Sequence, residues 1–248
     1  MISTQDLCVS YQKKDVLDHI NLDIKANEIY GLIGLNGVGK TTLIKTILKL
    51  REPNKGDVRY MSSKGEGVAY ASFRNRIAYL PERFEPPIFL LGNEFIRFSA
   101  SLYKQKINEE DIRRAAESLE LDYAVLDKRV NTYSKGMRQK LGLIATILTG
   151  CDMLILDEPM SGLDPQARVC VKEKIKALRG EGRTVFLSSH ILSDLSELCD
   201  RVSVLHKQQI QYTGTPQELC SRFHTESLEQ AFLQIIKKND ENQAKVIN

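Results

Sequence analysis

A glycine-rich loop between an apolar strand and an apolar helix constrains this fold more than any other feature of the chain. Residues Gly34 to Thr41 match the pattern GxxxxGK[ST] in full. The run Glu28–Ile33 before it predicts a buried strand, and the run after it predicts a helix through Leu50. A chance glycine-rich turn is the alternative, but it would not be expected to have Lys-Thr, a strand and a helix around it. The loop therefore predicts an α/β fold in which backbone amides and a helix N-terminus face a phosphate.

The residues of this loop have separate predicted roles. Lys40 is expected to reach the β- and γ-phosphates of a nucleoside triphosphate, and Thr41 is expected to ligate Mg²⁺. We predict that the whole loop contacts the nucleotide, with the binding residues Gly34, Leu35, Asn36, Gly37, Val38, Gly39, Lys40, Thr41 and Thr42.

Composition excludes few functions. The 248 residues are 42% hydrophobic and 27% charged, which is globular and sufficient for one large domain or two subdomains. The net charge of +3, from 35 basic and 32 acidic residues, argues neither for nor against nucleic-acid binding. No apolar run reaches the ~20 residues that span a bilayer, and the N-terminus lacks the features of a signal peptide. We therefore expect a cytosolic protein.

The cysteines are widely scattered. None forms a CxxC pair, and none stands beside a histidine at metal-ligand spacing. We expect reduced thiols that pack as small hydrophobic side chains. The five positions are Cys8, Cys151, Cys170, Cys199 and Cys220.

The remaining pattern predicts an α/β core interrupted by a helical block. Short apolar runs in residues 1–33 predict antiparallel strands, and residues 62–75 predict a loop. Residues 92–122 show helical periodicity with Asn108 as N-cap, so residues 83 to about 150 predict an inserted helical subdomain. One domain over 1–236 follows, with a polar tail at 237–248 that is expected to fray. The other predicted strands are Ile77–Leu80, Met153–Leu156, Thr184–Leu187, Arg201–Leu205 and Gln209–Tyr212, and the other helices are 165–180, 191–199 and 216–236.

Two strand ends supply further polar candidates. Asp157 and Glu158 follow the strand Met153–Leu156, and His190 follows the strand that begins at Thr184. A carboxylate at the carboxyl edge of a core strand points to the same crevice as the phosphate loop. Asp157 therefore suits a magnesium role, and Glu158 suits the base that polarises an attacking water. The alternative is a surface acidic pair that only terminates the strand.

The segment Tyr133–Lys140 places Ser134 and Gly136 at a predicted helix start, just ahead of the acidic strand. This pattern resembles the signature motif of the ATP-binding cassette (ABC) family. The order of phosphate loop, helical insert, signature, acidic strand and histidine extends the resemblance over nearly the whole chain. It implies an ABC-type nucleotide-binding domain of the P-loop NTPase class, with a parallel core sheet, an antiparallel β subdomain and a helical subdomain.

The resemblance also implies roles for residues outside the phosphate loop. His190 is expected to contact the γ-phosphate, and a structural histidine is the alternative. The segment Ser161–Asp164 resembles the D-loop that links the two halves of a dimer, with Asp164 as its acid. Tyr11 resembles the aromatic residue that stacks on adenine, and a core tyrosine is the alternative. The residues expected to face the ATP of the opposite chain are Ser134, Lys135, Gly136 and Met137.

Departures from the commonest family pattern point to one type of member within the family. Glu82 stands where members usually have glutamine; we predict that it ligates or senses Mg²⁺, and a solvent-facing acid is the alternative. The signature carries Lys135 and Met137 where members usually have glycine and glutamine. Lys135 either adds charge near the phosphate or extends into solvent. Together these variations resemble ATPase subunits of the ABC-2 transporter type.

Residues 83–103 are rich in aromatic side chains. One interpretation is that these side chains form the small core of the helical subdomain. The other is that they line a groove for a helix of a membrane subunit, because this is where the family docks its permease. The aromatic residues concerned are Phe84, Phe89, Phe95, Phe98 and Tyr103.

The resemblance implies a function. The chain would hydrolyse ATP to ADP and phosphate, with Mg²⁺, and drive a separate integral membrane permease from the cytoplasmic face, as an exporter in the ABC-2 case. Two copies, or this chain and a homologous cassette, would sandwich two ATP molecules head to tail, without nucleic acid. Two alternatives are a soluble ABC ATPase in cofactor assembly, DNA or ribosome work, and a regulatory module that binds ATP without turnover. Glu158 and His190 argue against the regulatory module.

Overall fold

The structure, a computed structural model, describes residues 1–12, 14–62 and 65–246, with side chains as far as residue 238. The chain divides into two compact units, which are described separately. The first unit comprises Met1–Val68 and Ser188–Asn248, and the second comprises Ala69–Leu187. The second unit begins before the predicted helical block of 83–150 and ends after it, so it contains strands as well as helices.

The secondary structure alternates strands and helices along most of the chain. The strands are β1 (Ile2–Tyr11), β2 (Lys14–Ile24), β3 (Ile29–Ile33), β4 (Lys55–Met61), β5 (Gly67–Val68), β6 (Ile77–Leu80), β7 (Met153–Asp157), β8 (Thr184–Ser189), β9 (Arg201–His206) and β10 (Gln209–Gly214). The helices are α1 (Lys40–Ile47), α2 (Tyr70–Phe73), α3 (Gly92–Leu102), α4 (Glu109–Ser118), α5 (Lys135–Ile147), α6 (Pro165–Gly180), α7 (Leu192–Leu198), α8 (Pro216–Phe223) and α9 (Leu228–Val246).

The first unit contains an antiparallel sheet and a buried parallel pair. The antiparallel sheet has the order β2-β1-β4-β5, which confirms the strands predicted in residues 1–33. Residues at every second position of β2, such as Ile20, Leu22 and Ile24, are buried, because successive side chains of a strand face opposite sides. All five residues of β3 are buried, and β3 pairs in parallel with β9. The predicted strands Arg201–Leu205 and Gln209–Tyr212 are also confirmed, as the antiparallel pair β9 and β10.

The second unit combines strands with the predicted helical block. β6 pairs in parallel with β7, so Leu80 lies opposite Leu156 at the carboxyl end of both strands. The N-cap prediction for α4 is confirmed, since Asn108 Oδ1 accepts a hydrogen bond from the Asp111 amide at 2.8 Å. Helix α5 packs directly on the end of β6: a methyl group added at Gly142 would lie 2.7 Å from a Leu80 methyl carbon.

Three predicted helix bounds are wrong, and left-handed residues explain them. Helix α1 ends at Ile47, not at Leu50, because Lys49 has φ 52° and Leu50 faces outward with 66% of its surface exposed. The block predicted as helical over 92–122 is broken after α3, where Lys104 has φ 59°. The run 216–236 is broken at His224, with φ 51°. Such conformations do not continue an α-helix.

Other differences concern the predicted loop and tail. Residues 62–75 include β5, α2 and the start of a 3₁₀ helix at Arg74–Arg76, and Ser63 and Lys64 of this loop lie outside the described residues. Helix α9 continues to Val246, so the tail expected to fray is helical to that residue. Among the described residues, no helix combines the length and apolar character that a membrane crossing requires.

Candidate functional site

The phosphate-loop pattern forms a tight connection between β3 and α1 in the first unit. Gly37 and Gly39 adopt φ values of 78° and 116°, which favour glycine. A methyl group at Gly39 would also lie 3.1 Å from the Val16 carbonyl oxygen, so both conformation and space require glycine there. Leu35 and Asn36, at the tip of the loop, are exposed. The loop thus presents its backbone at the N-terminus of α1, as an anion site needs.

Lys40 lies over this loop from its own helix. Its side chain is 7% exposed, and Nζ donates hydrogen bonds to the carbonyl oxygens of Gly34 at 2.7 Å and Leu35 at 3.5 Å. Gly34 is also sterically required, since a methyl group there would meet Val38 Cγ1 at 2.7 Å and the Leu205 carbonyl oxygen at 2.8 Å. The ammonium group is therefore held at the loop by backbone oxygens.

Tyr11 lies at the end of β1 with 42% of its surface exposed, so the alternative of a core tyrosine is wrong. The guanidinium carbon of Arg51 lies 3.6 Å from the ring centroid, and an Arg51 nitrogen donates to the Ser10 carbonyl. The arginine thus covers one ring face by a cation–π contact. Arg51 was not predicted as a site residue, because a contact between distant residues has no local pattern.

His190 follows directly after β8 and is exposed, whereas Ser188 and Ser189 before it are buried. The Ser189 hydroxyl accepts a hydrogen bond from the Ile191 amide at 3.0 Å, which fixes the turn that presents the histidine. The strand runs two residues past its predicted end at Leu187, to Ser189, and so ends directly before His190. The role of His190 toward a phosphate stays a prediction.

The acidic strand end belongs to the second unit and is buried. Asp157 is 0% exposed and Glu158 is 5% exposed, so the alternative of a surface pair is wrong. Glu158 has φ 52°, and its carbonyl accepts a hydrogen bond from the Ser161 amide at 3.0 Å. A left-handed conformation costs a residue of this type about 1–3 kcal/mol, and such strain clusters at functional sites.

Glu82 follows β6 and is exposed, as the solvent-facing alternative requires. It nevertheless lies close enough to the acidic strand end to share a neighbour with it. Burial raises the pKa of the Tyr79 phenol, and the charges of Asp157 and Glu82 raise it further. The Tyr79 hydroxyl is buried and has no hydrogen-bond partner among the described residues. Two carboxylates therefore act on one phenol at the ends of β6 and β7.

The signature segment opens helix α5. Ser134 is its N-cap: the hydroxyl oxygen accepts a hydrogen bond from the Met137 amide at 3.1 Å, and the residue is exposed. Among the described residues nothing crowds Gly136, since an added methyl group would stay 3.7 Å from the Gly162 carbonyl oxygen and from Leu163, an ordinary contact distance. Its φ is not left-handed. Nothing in the described structure requires glycine at this position.

Two other residues of the signature segment hold it in place. Tyr133 is buried, and its hydroxyl donates to the Val125 carbonyl at 2.7 Å; burial, with the charge of Asp127, raises its pKa to about 12. Gln139 is also buried, and Nε2 donates to the Pro159 carbonyl at 3.0 Å. This bond ties α5 to the turn after Glu158. The sequence did not identify Gln139.

The predicted D-loop has a structural role within the second unit. The Asp164 carboxylate caps α6 by accepting a hydrogen bond from the Ala167 amide at 2.9 Å, and this bond lowers its pKa. Lys135 is exposed, and its aliphatic carbons lie against Gly162, which has φ 74°. Lys135 thus extends along the D-loop at the surface.

The aromatic segment of the second unit divides into core and surface. Phe95 is buried and meets Phe84 edge to face with ring centroids 5.5 Å apart, as the core interpretation predicts. Phe89 and Phe98 are exposed, with 71% and 53% of their surfaces accessible, as a docking surface would need. The same unit contains a cavity of about 580 Å³, lined by charged and apolar residues that include Glu82, Arg83, Phe84, Ile88, Lys135 and Arg138.

Comparison with known proteins gives a consistent result. The family model described as ABC transporter matches residues 17–161. EcsA of Bacillus subtilis, an ABC-type transporter ATP-binding protein, is 30% identical over 96% of this chain and 98% of its own. The linearmycin resistance ATP-binding protein LnrL of the same organism is 31% identical over 90% of this chain and 71% of its own. An ABC transporter ATP-binding protein of Nostoc is 34% identical over 86% of this chain. The chain spans only 59% to 64% of the length of that relative and two others.

Solved structures resemble the chain along most of its length. The structure of an ATP-binding subunit of an ABC transporter has a TM-score of 0.83 and 28% identity, and the match covers 95% of this chain and 99% of that one. A dimeric ATP-binding cassette in a post-hydrolysis state, bound to ADP and phosphate, has a TM-score of 0.75 and 18% identity, over 87% and 98% of the two chains.

Proposed function

Because this chain belongs to the ABC transporter family, we propose that it is the ATP-hydrolysing subunit of a transporter and drives a separate membrane permease. Its fold is the predicted ABC-type nucleotide-binding domain of the P-loop NTPase class, with parallel strands, an antiparallel sheet and helices. The observation that carries the proposal is the loop between β3 and α1, where left-handed glycines and the buried ammonium of Lys40 surround one helix N-terminus. That combination of donors suits a compact anion such as phosphate.

The remaining polar residues divide the work of hydrolysis. Lys40 binds the β- and γ-phosphates, and His190 binds the γ-phosphate. Thr41, Asp157 and Glu82 supply the hydroxyl and carboxylate oxygens that Mg²⁺ prefers, and the bound ion would neutralise charge on the phosphates. Glu158 orients and polarises the attacking water. Tyr11, with Arg51 over one face of its ring, would stack its other face on adenine.

A phosphate-release assay on the purified chain with ATP and Mg²⁺ tests the hydrolytic part of the proposal. We expect steady turnover. ATP binding without phosphate release would instead indicate a regulatory module that uses ATP as a ligand.

We propose further that hydrolysis needs two copies of the cassette. Ser134 and Gly136 open α5, yet neither the backbone conformation nor the packing of the chain requires glycine at position 136. Glycine at an uncrowded helix start allows close approach by a group from outside the chain. The helix N-terminus favours an anion there, which fits the γ-phosphate of ATP bound to a second copy.

Gly136→Ala should lower the rate of ATP hydrolysis about 100-fold, because a displacement of about 1 Å at a reacting phosphate has that effect. The fold should remain, since the added methyl group would meet no described atom closer than 3.7 Å. The measurement is phosphate release together with thermal unfolding. Gly180→Ala is the matched control, because Gly180 also lies in a helix with nothing near its added methyl group. Equal loss in both variants, or none in either, would contradict the two-copy site.

We assign the cavity of the second unit as the docking site for a helix of the permease. Its mouth combines acidic and basic side chains with exposed Ile88, and the neighbouring Phe89 is 71% exposed. A short amphipathic helix, with an apolar face and charged flanks, matches this lining. The proposed location is accordingly peripheral, on the cytoplasmic face of the membrane. The departures at Glu82 and Lys135 support a permease of the ABC-2 exporter type.

A photoreactive phenylalanine analogue at position 89 should crosslink to an integral membrane protein in membranes of the producing cell. The same analogue at Val169, which is 53% exposed on α6 of the same unit, should give no such adduct. Mass spectrometry of the adducts identifies the partner. Capture at position 169 but not at position 89 would refute the assigned docking surface and leave the proposed ATPase activity untouched.

A further inference from the structure

The first unit carries a second cluster of functional side chains on the strand pair β1–β2. Cys8, Asp18 and His19 each offer one ligand atom, and these three atoms lie within 4.8 Å of one another. Cys8 Sγ lies 3.9 Å from Asp18 Oδ1, and His19 Nε2 lies 3.8 Å from the same oxygen. Ligands around a tetrahedral Zn²⁺ ion are about 3.3 to 3.8 Å apart, given metal–ligand bonds of about 2.0–2.3 Å. Small side-chain adjustments would therefore close the three atoms around one ion.

An irregular stretch of the strands brings these residues together. Neighbouring residues of a regular strand point to opposite faces, so Asp18 and His19 would ordinarily diverge. His19, however, has φ 49°, and Asp6 on the paired strand has φ 47°. The register of β1 with β2 also shifts on both sides of Leu7. These departures let two consecutive residues of β2 reach Cys8, which sequence spacing did not predict.

The imidazole of His19 is flanked by a carboxylate on each side. Nε2 faces Asp18, while Nδ1 lies 3.8 Å from Asp6 Oδ1. Asp6 is itself held by Asn21, whose Nδ2 donates to Asp6 Oδ1 at 3.2 Å and whose Oδ1 accepts from the Asp6 amide at 2.9 Å. Histidines that bind a metal through one nitrogen typically direct the other nitrogen to a carboxylate, which orients the ring. Asp6 occupies that supporting position.

The other two ligands are supported as well. Cys8 Sγ accepts a hydrogen bond from the His19 amide at 3.4 Å. Asp18 Oδ2 accepts from Gln209 Nε2 at 2.8 Å, so Oδ1 remains directed at the cluster. The Cys8 thiol donates a hydrogen bond to the Asp6 carbonyl oxygen, 3.6 Å from Sγ. Gln209 and Asp6 thus hold Asp18 and His19 from outside the cluster, while Cys8 contacts the backbone of His19 and Asp6.

We propose that Cys8, Asp18 and His19 bind one Zn²⁺ ion, with solvent water as the fourth ligand and Asp6 as the residue that positions His19. Binding releases the thiol proton of Cys8 to solvent, and no electron is transferred. A thiolate, an imidazole and a carboxylate form a donor set that suits Zn²⁺. Mg²⁺ prefers six oxygen ligands, so the ion that accompanies ATP would not compete here. The site is independent of the proposed ATPase function.

Equilibrium dialysis of the full chain against Zn²⁺, with excess Mg²⁺ and without nucleotide, tests the proposal. We expect one bound Zn²⁺ per chain by elemental analysis, and loss of that ion in Cys8→Ser and in His19→Asn. Cys220→Ser and His224→Asn are matched controls that should keep it: Cys220 is half-buried like Cys8, and His224 has φ 51° like His19. Asparagine tolerates a left-handed backbone, so the histidine variants should fold.

Two further readouts distinguish a built site from surface binding. Co²⁺ in place of Zn²⁺ should give a thiolate-to-metal charge-transfer absorption that Cys8→Ser abolishes and Cys220→Ser retains. Asp6→Asn should weaken Zn²⁺ binding about 10- to 100-fold, as the loss of a carboxylate that supports a metal-bound histidine does elsewhere. Unchanged Zn²⁺ content in both Cys8→Ser and His19→Asn, or loss of the ion with Cys220→Ser, would overturn the proposal.

Discussion

Glu158→Gln should still bind ATP but hydrolyse it about 100- to 10,000-fold more slowly, the range that a positioned general base contributes. Glutamine keeps the size of the side chain in its buried position but cannot accept the proton of the attacking water. The left-handed backbone at position 158 therefore carries a side chain of the same shape in the variant as in the wild type. Because ATP would persist, the two-copy complex should accumulate with it. Phosphate release and size-exclusion chromatography with ATP measure both effects.

The matched control is Glu117→Gln, an exposed acid on α4 of the same unit. It should turn over ATP at the wild-type rate and remain monomeric after hydrolysis. A Glu158→Gln protein that hydrolyses ATP like Glu117→Gln and forms no ATP-dependent dimer would remove Glu158 from the mechanism.

Lys40→Ala should raise the dissociation constant of ATP about 100-fold, which corresponds to about 2.7 kcal/mol. The ammonium group is buried against the loop oxygens of Gly34 and Leu35, and phosphate would replace these neutral acceptors with charged ones. Charge-assisted hydrogen bonds of this kind are about twice as strong as neutral ones. Isothermal titration with ATP measures the change.

Lys45→Ala serves as its control, because Lys45 is an exposed lysine on the same helix α1. ATP affinity should be unchanged there, and thermal unfolding should show both variants folded. An equal affinity for ATP in Lys40→Ala and wild type would mean that the loop does not bind the phosphates.

Local patterns predicted the elements that carry the site. The loop from Gly34 to Thr41, the strand ends at Asp157 and His190, and the helix start at Ser134 all lie where periodicity and motif spacing placed them. Each depends on a short run of sequence in which apolar periodicity, glycines and capping residues agree. Because these local signals agree, such features can be predicted from the sequence.

Contacts between residues that are distant in the sequence could not be predicted in this way. Arg51 over Tyr11, and Gln139 bonded to the Pro159 carbonyl, depend on how the chain packs. The cluster at Cys8 depends on left-handed residues that no sequence motif predicts. The same cause displaced the end of α1, where Lys49 is left-handed although the apolar pattern continues to Leu50. Tertiary packing overrides propensity at such positions.

The central claim, one ATP site completed by two copies, is tested most directly by mixing two impaired variants. Lys40→Ala lacks the phosphate lysine, and Gly136→Ala lacks the close-approach glycine. In a mixed dimer, one site would pair an intact Lys40 with an intact Gly136 from the other copy. Random pairing of equal amounts makes half of the dimers mixed, so phosphate release should recover to about a quarter of the wild-type rate. A mixture no more active than its two components would contradict the shared site.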